Sequence, residues 1–199
     1  MREPFILGYR LVRFIVWPIA YILYRPRYIN NHLIPKEGGV ITCGNHRYYM
    51  DFVHIGLATR RTVRFLTKIE LFKGPLKHFF NFGGAIPVNR KIKDQNAKDM
   101  VADTLKKGAL INIFPEGTRN KGEYPLLPLK FGAVSFAGKS GAPIIPYAII
   151  GEMKIFRNKQ KTVFGEPIYV KETDDLKTKN EELATAITKL LQKHEESSK

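Results

Sequence analysis

A histidine and an aspartate five positions apart, His46 and Asp51, lie in the run Gly44-Asn-His-Arg-Tyr-Tyr-Met-Asp51, directly after the apolar segment Val40–Cys43. On one continuous helix that spacing sets the two side chains about 140° apart, so they meet only where the chain turns between them. At such a turn the carboxylate holds one imidazole nitrogen and leaves the other as a general base, the orienting arrangement of hydrolase triads. The plainer alternative is that Asp51 caps the helix that follows it. A second loaded loop is Phe114-Pro-Glu-Gly-Thr-Arg-Asn120. Pro115 stops strand pairing and Gly117 permits a positive φ or a close backbone approach, leaving Glu116, Thr118 and Arg119 to project into one crevice. A carboxylate and a guanidinium together bind hydroxyl and phosphate. A third run, Gly84-Ala-Ile-Pro-Val-Asn-Arg90, ends a strand on an arginine suited to bidentate phosphate recognition.

These loops need a scaffold that brings strand ends together. Val40–Cys43, Thr62–Thr67, Ala85–Val88, Ala109–Phe114, Pro143–Ile150 and Thr162–Phe164 read as strands, from β-branched or apolar runs. Phe52–Thr59, Gln95–Lys107, Phe131–Gly138 and Asp174–His194 read as helices; Val101, Ala102 and Leu105 mark the apolar side of the second, and Leu183, Ile187, Leu190 and Leu191 that of the last. This alternation predicts a single α/β domain with a largely parallel central sheet flanked by helices. In such a sheet, ligands collect at the carboxyl ends of the strands, where all three loops fall.

The chain has 199 residues, the size of one domain with a sizeable core, and its single cysteine, Cys43, excludes an internal disulfide framework and a Cys-rich zinc site. No metal site is expected, since the HExxH pattern is absent. Gly132 and Gly138-Lys139-Ser140 miss the P-loop spacing, and Ser135 lies in a helical segment rather than at a nucleophile elbow. The net charge is +15, which calls for a polyanionic partner. Between Arg60 and Lys93 nine basic residues face one acid, Glu70, a balance of 9 − 1 = +8, with Phe65, Phe72, Leu76, Phe79, Phe80 and Phe82 threaded among them. An anionic membrane surface suits that mixture, and single-stranded nucleic acid is the rival. Phe5–Tyr24 is mostly apolar but is interrupted by Arg10, Arg13 and Pro18, and the piece from Phe14 to Tyr24 falls short of the roughly 20 residues of a span. Trp17, Tyr9, Tyr21 and Tyr24, with Arg10, Arg13, Arg25 and Arg27, predict an interfacial anchor over residues 1–31, ahead of a catalytic domain over residues 32–199.

Asn45-His46 with Asp51, Gly84–Arg90, Phe114–Arg119 and Ile145-Pro146 resemble, in order and spacing, the four signature blocks of the glycerolipid acyltransferase family. The nearest likeness is to its small bacterial branch that acylates lysophosphatidic acid. Lys68-Ile-Glu-Leu71 and Ile34–Val40 extend the similarity, which covers most of Ile34 to Glu166. The departures are Arg-Tyr-Tyr-Met between His46 and Asp51, where many relatives carry a serine, and Asn89 before Arg90, where an acidic residue is common. The resemblance implies the family's α/β fold and an enzyme at the cytoplasmic face of the cell membrane, held peripherally. It would transfer an acyl group from acyl carrier protein or coenzyme A to the sn-2 hydroxyl of lysophosphatidic acid, with no cofactor beyond the donor thioester and no nucleic-acid partner. His46 and Asp51 would be catalytic; Lys68, Arg90 and Arg119 would hold the acceptor phosphate, and Glu116, Gly117 and Thr118 would shape the crevice. Acylation of glycerol 3-phosphate or another lysolipid is the neighbouring possibility. A thioesterase using Cys43 and His46 is a further one, and a basic membrane- or nucleic-acid-binding protein without catalysis is the rival class.

Overall fold

The computed structural model describes residues 6–75, 77–89, 95–122, 125–152, 156 and 160–195. Its centre is a seven-stranded sheet: β1 (Arg27–Ile29), β2 (Val40–Gly44), β3 (Val63–Lys68), β4 (Ile86–Val88), β5 (Leu110–Ile113), β6 (Ile144–Ile150) and β7 (Lys161–Phe164). The strand order is β1-β7-β6-β2-β5-β3-β4, and every neighbouring pair is parallel except β6 with β7. Each strand read from the sequence is present. β1 was not foreseen: Arg27–Ile29, counted with the N-terminal segment in the sequence, pair with β7 as an edge strand.

Helices cover both faces, which is why β2, β5 and β6 are apolar at nearly every position and buried throughout. Alternate side chains serve opposite layers. Ile41, Cys43, Ile111, Ile144 and Ala148 meet α4 (Gln95–Lys106), α5 (Gly132–Ser140) and α6 (Leu176–Glu195) through Val101, Leu105, Val134, Leu183 and Ile187. Val40, Leu110, Ile145, Tyr147 and Ile149 pack on the other face with Ile55 and Ala58, from α2 (Asp51–Leu57) and its end.

Two expectations change. Residues Leu7–Tyr24 form one helix, α1, which includes Arg10, Arg13 and Pro18. It ends where Arg25 takes φ 40° and donates its N–H to the Tyr21 carbonyl, with Pro26 next in sequence and unable to continue a helix. By length and composition alone α1 can cross a membrane, a test that buried core helices and signal sequences also pass. It lies side-on to the domain: Arg13 Nη1 donates to the Gly56 carbonyl at 2.8 Å and the Tyr9 hydroxyl to the same oxygen at 3.3 Å. Arg13 is thus turned to the protein rather than to lipid.

Arg61, counted with the basic surface stretch, is likewise buried. Its guanidinium donates to the carbonyls of Pro35, Gly38 and Gly108 at 2.7–2.8 Å and ties together loops at the amino end of the sheet. The rest of that stretch contributes exposed cations at Lys68, Lys73 and Lys77, beside the short helix α3 (Lys77–Phe82). Leu76, Lys91 and Lys93 lie outside the described residues.

Candidate active site

β2 and β5 are adjacent and parallel, so the loops that leave their carboxyl ends share one edge of the sheet. The loop after β2 begins where Gly44 passes under Tyr147: a Cβ there would lie within 2.4 Å of the tyrosine ring, so only glycine lets the backbone through. Asn45 then locks the loop to β6. Fully buried, its side chain accepts from Ile149 N–H at 2.7 Å and donates to Ile149 C=O at 2.9 Å, as a neighbouring strand would. His46 follows in a fixed position.

Asp51 opens α2 and is completely buried. One oxygen, Oδ2, takes three donors: the Arg47 N–H at 2.7 Å, the Tyr48 N–H at 2.8 Å and His46 Nδ1 at 2.9 Å. A carboxylate accepts, so the bond places a proton on Nδ1, and in the neutral imidazole Nε2 is then the nitrogen with the lone pair. Of the two readings of Asp51 in the sequence, the histidine partner is realised and the helix cap is not: Met50 is the N-cap position, without a side-chain cap, and Asp51 takes N–H groups from the turn that precedes α2. The imidazole also stacks on Phe114, with ring centroids 4.0 Å apart and planes 19° from parallel. It retains 19% of its side-chain exposure, enough to meet a substrate from the open side.

Glu116 joins the two loops. Its carboxylate accepts from His46 N–H at 2.8 Å and from Leu127 N–H at 3.0 Å, while Asn120 N–H donates to the His46 carbonyl at 2.7 Å. Burial pushes the Glu116 carboxyl above its ordinary range, and the N–H groups of Leu127 and His46 oppose that rise. Both oxygens face the protein's own backbone, so this residue braces the histidine's loop. Gly117 adopts φ +69°, and a Cβ there would meet the Lys130 side chain at 2.7–2.8 Å. Lys130 thus lies across the loop, a cation that the sequence reading did not select. Thr118 is exposed. Arg119 sits with its Cζ 3.3 Å above the centre of the Tyr49 ring, and among the described residues no carboxylate or carbonyl takes its N–H groups.

Lys68 ends β3, the strand next to β5, and is exposed at the same carboxyl edge. Arg90 lies outside the described residues; β4 ends two positions before it in sequence. Cys43 is fully buried inside β2 and burial drives its thiol far above the usual range, which leaves no thiolate for nucleophilic work. Among the described residues no group of three or more His, Cys, Asp or Glu side chains is placed to hold a metal ion.

The Acyltransferase family model matches residues 25–150, well over half of the chain and all of the loops just described. The chain belongs to the acyltransferase family. This acyltransferase is 29% identical over 146 residues to a 1-acyl-sn-glycerol-3-phosphate acyltransferase of Bacillus subtilis, an alignment that takes in 70% of this chain and 72% of that protein. It is 28% identical over 143 residues to the chloroplast 1-acyl-sn-glycerol-3-phosphate acyltransferase BAT2 of Brassica napus, of which it spans 41%. In three dimensions the acyltransferase matches the crystal structure of PlsC, the 1-acyl-sn-glycerophosphate acyltransferase of Thermotoga maritima. The TM-score is 0.73 at 20% identity, over 94% of this chain and 79% of that one, a likeness of fold.

Proposed function

We propose that this acyltransferase moves a fatty acyl group from an acyl thioester, carried by acyl carrier protein or coenzyme A, to the sn-2 hydroxyl of lysophosphatidic acid, yielding phosphatidic acid. The observation that carries the reading is the His46–Asp51 pair, Nδ1 to Oδ2 at 2.9 Å, which turns Nε2 away from the carboxylate on the same sheet edge as Arg119. Nε2 removes the proton of the acceptor hydroxyl, whose oxygen attacks the thioester carbonyl carbon. The carbon–sulfur bond breaks, and the imidazolium returns the proton to the leaving thiolate. Asp51 stabilises the imidazolium between these events. No acyl-enzyme forms and no further cofactor is needed for the balance.

The acceptor phosphate is held by Arg119 with Lys68 and Arg90; Gly117 and Thr118 form the crevice wall and Glu116 fixes its frame. The names of the Bacillus and Brassica relatives support this acceptor. The enzyme works at the cytoplasmic face of the cell membrane without spanning it. That placement is supported by α1, whose one side is hydrogen-bonded to Gly56 while Leu7, Leu11, Phe14, Ile15 and Ile22 stay exposed on the other.

The test is incubation of the full chain with lysophosphatidic acid and a palmitoyl thioester, following thiol release and identifying the lipid by mass spectrometry. Acceptor-dependent thiol release with phosphatidic acid as product is expected. Preferred acylation of glycerol 3-phosphate or lysophosphatidylcholine would move the activity to a neighbouring acceptor, and thiol release without acceptor would make the protein a thioesterase. No turnover with tight nucleic-acid binding would replace the catalytic reading altogether.

A further inference from the structure

The His46 loop contains a residue with no place in the chemistry above. Tyr49 points away from the core and is 72% exposed, yet its ring carries the Arg119 guanidinium at 3.3 Å from its centre. The two come from different loops, Tyr49 from between His46 and Asp51 and Arg119 from after β5. An arginine in open solvent samples many rotamers, and fixing it on a ligand costs entropy at the moment of binding. Stacking on a ring removes part of that freedom beforehand. It engages the face of the guanidinium and leaves the N–H edges, which bind phosphate in a fork, without a competing acceptor among the described residues.

We propose that Tyr49 is a positioning residue for the acceptor: its ring pre-orients Arg119 so that the guanidinium edge meets the phosphate of the lysolipid bound beside His46. This rests on the reading of Arg119 as the phosphate clamp, and it adds that acceptor affinity is set from within the histidine's own loop. The loop is rigid enough to act as a platform. Arg47 N–H and Tyr48 N–H are fastened to Asp51, and Asp51 N–H donates to the Tyr48 carbonyl at 3.2 Å, so the ring stands on a closed turn. A hydroxyl is not required for this work; an aromatic face is.

Acceptor kinetics of the full chain in mixed micelles test the idea, with Tyr49→Leu, Tyr49→Phe and each variant combined with Arg119→Ala. Tyr49→Leu should raise the KM for lysophosphatidic acid about 3- to 10-fold, the range of a partly exposed cation–π contact, with kcat within about twofold of wild type. Tyr49→Phe should restore the wild-type KM, and in the Arg119→Ala background Tyr49→Leu should add nothing. With monoacylglycerol, which lacks the phosphate, Tyr49→Leu should be silent. A lowered kcat at unchanged KM, a Phe variant as poor as Leu, or an undiminished effect without Arg119 would overturn the proposal. Calorimetric binding of sn-glycerol 3-phosphate separates it from the assigned reaction. Tyr49-dependent binding in a protein that does not acylate lysophosphatidic acid would keep the clamp and remove the assigned activity. Binding indifferent to Tyr49, or no binding at all, would remove the clamp.

Discussion

Replacing Asp51 by Asn tests how the site divides between geometry and charge. Oδ2 receives the Arg47 and Tyr48 N–H groups as well as His46 Nδ1, while Oδ1 is buried with no hydrogen-bond partner among the described residues. An amide at this position has one workable orientation. Its oxygen must take the Oδ2 place, because an NH₂ there would oppose two backbone donors, and the NH₂ falls where Oδ1 stood. His46 then keeps its Nδ1–H tautomer and its position; turnover loses the negative charge beside the developing imidazolium, while the buried NH₂, with no acceptor among the described residues, lowers the stability of the fold. Hydrogen bonds to charged groups contribute about 1.5–3 kcal/mol against about 0.5–1.5 kcal/mol for neutral ones, so the loss is about 1–2 kcal/mol. That converts to a fall in kcat of roughly 5- to 30-fold. Asp51→Ala is different in kind: it frees the imidazole and strands two N–H groups of the turn, so kcat should fall about 10²- to 10⁴-fold with a clear loss of thermal stability. The assay is steady-state acyl transfer at saturating acceptor, paired with thermal unfolding of each variant. An Asn variant that folds normally but is as inactive as Ala would refute the single-oxygen geometry on which this reasoning stands.

Cys43→Ala should retain most acyl transfer, since the thiol is buried and direct attack by the acceptor gives it no task; a trapped acyl-cysteine in the wild-type enzyme would show the opposite. His54 is held by burial at a pKa of about 4, below its ordinary 6.5, against the opposing pull of Asp51. The unfolded chain therefore binds the extra proton first, and stability should fall as pH drops from about 6.5 towards about 4. His54→Gln should flatten that slope in urea unfolding measured across this window, and an unchanged slope would remove His54 as its source. On vesicles of phosphatidylglycerol and phosphatidylcholine, high salt should release only part of the protein, while truncation before Pro26 should release most of it. Salt screens the exposed lysines but not the contact of the exposed apolar face of α1 with lipid, so complete release by salt alone would contradict the interfacial anchor.

The parts of the fold legible in the sequence are those with enough residues to show a period. β2, β5 and β6 announced themselves as short apolar runs, and α4 and α6 by their striped faces. β1 has three residues and no alternation; it is a strand because β7 offers it an edge and because the Tyr28 hydroxyl reaches the His54 carbonyl at 2.9 Å. The reversal of β7 against β6 depends on pairing rather than on composition. Arg61 read as surface charge because its three carbonyl partners lie in loops 23 to 47 residues away from it in sequence.

At the site, the His46–Asp51 relation followed from spacing and one turn, since both ends lie in one short segment. The brace formed by Glu116 did not, because the N–H groups that fill its carboxylate come from His46, 70 residues earlier, and from Leu127, 11 residues later. The sequence suggested that Glu116 faces the crevice; the fold turns it inward. Asn45, Tyr49, Phe114 and Lys130 gave no chemical signal of their own and gain their roles only through what the fold sets beside them.

The central claim is that His46 acts as the base while arginine holds the acceptor, and one paired measurement addresses it. Steady-state turnover and equilibrium binding of lysophosphatidic acid are determined for the wild type, His46→Ala and Arg119→Ala. Loss of the base should lower kcat about 10²- to 10⁴-fold with acceptor binding preserved. Loss of the guanidinium should weaken acceptor binding and raise its KM with a much smaller effect on kcat. If His46→Ala instead abolishes binding while Arg119→Ala leaves the acceptor KM at its wild-type value, the division of the site into a histidine base and an arginine clamp is wrong.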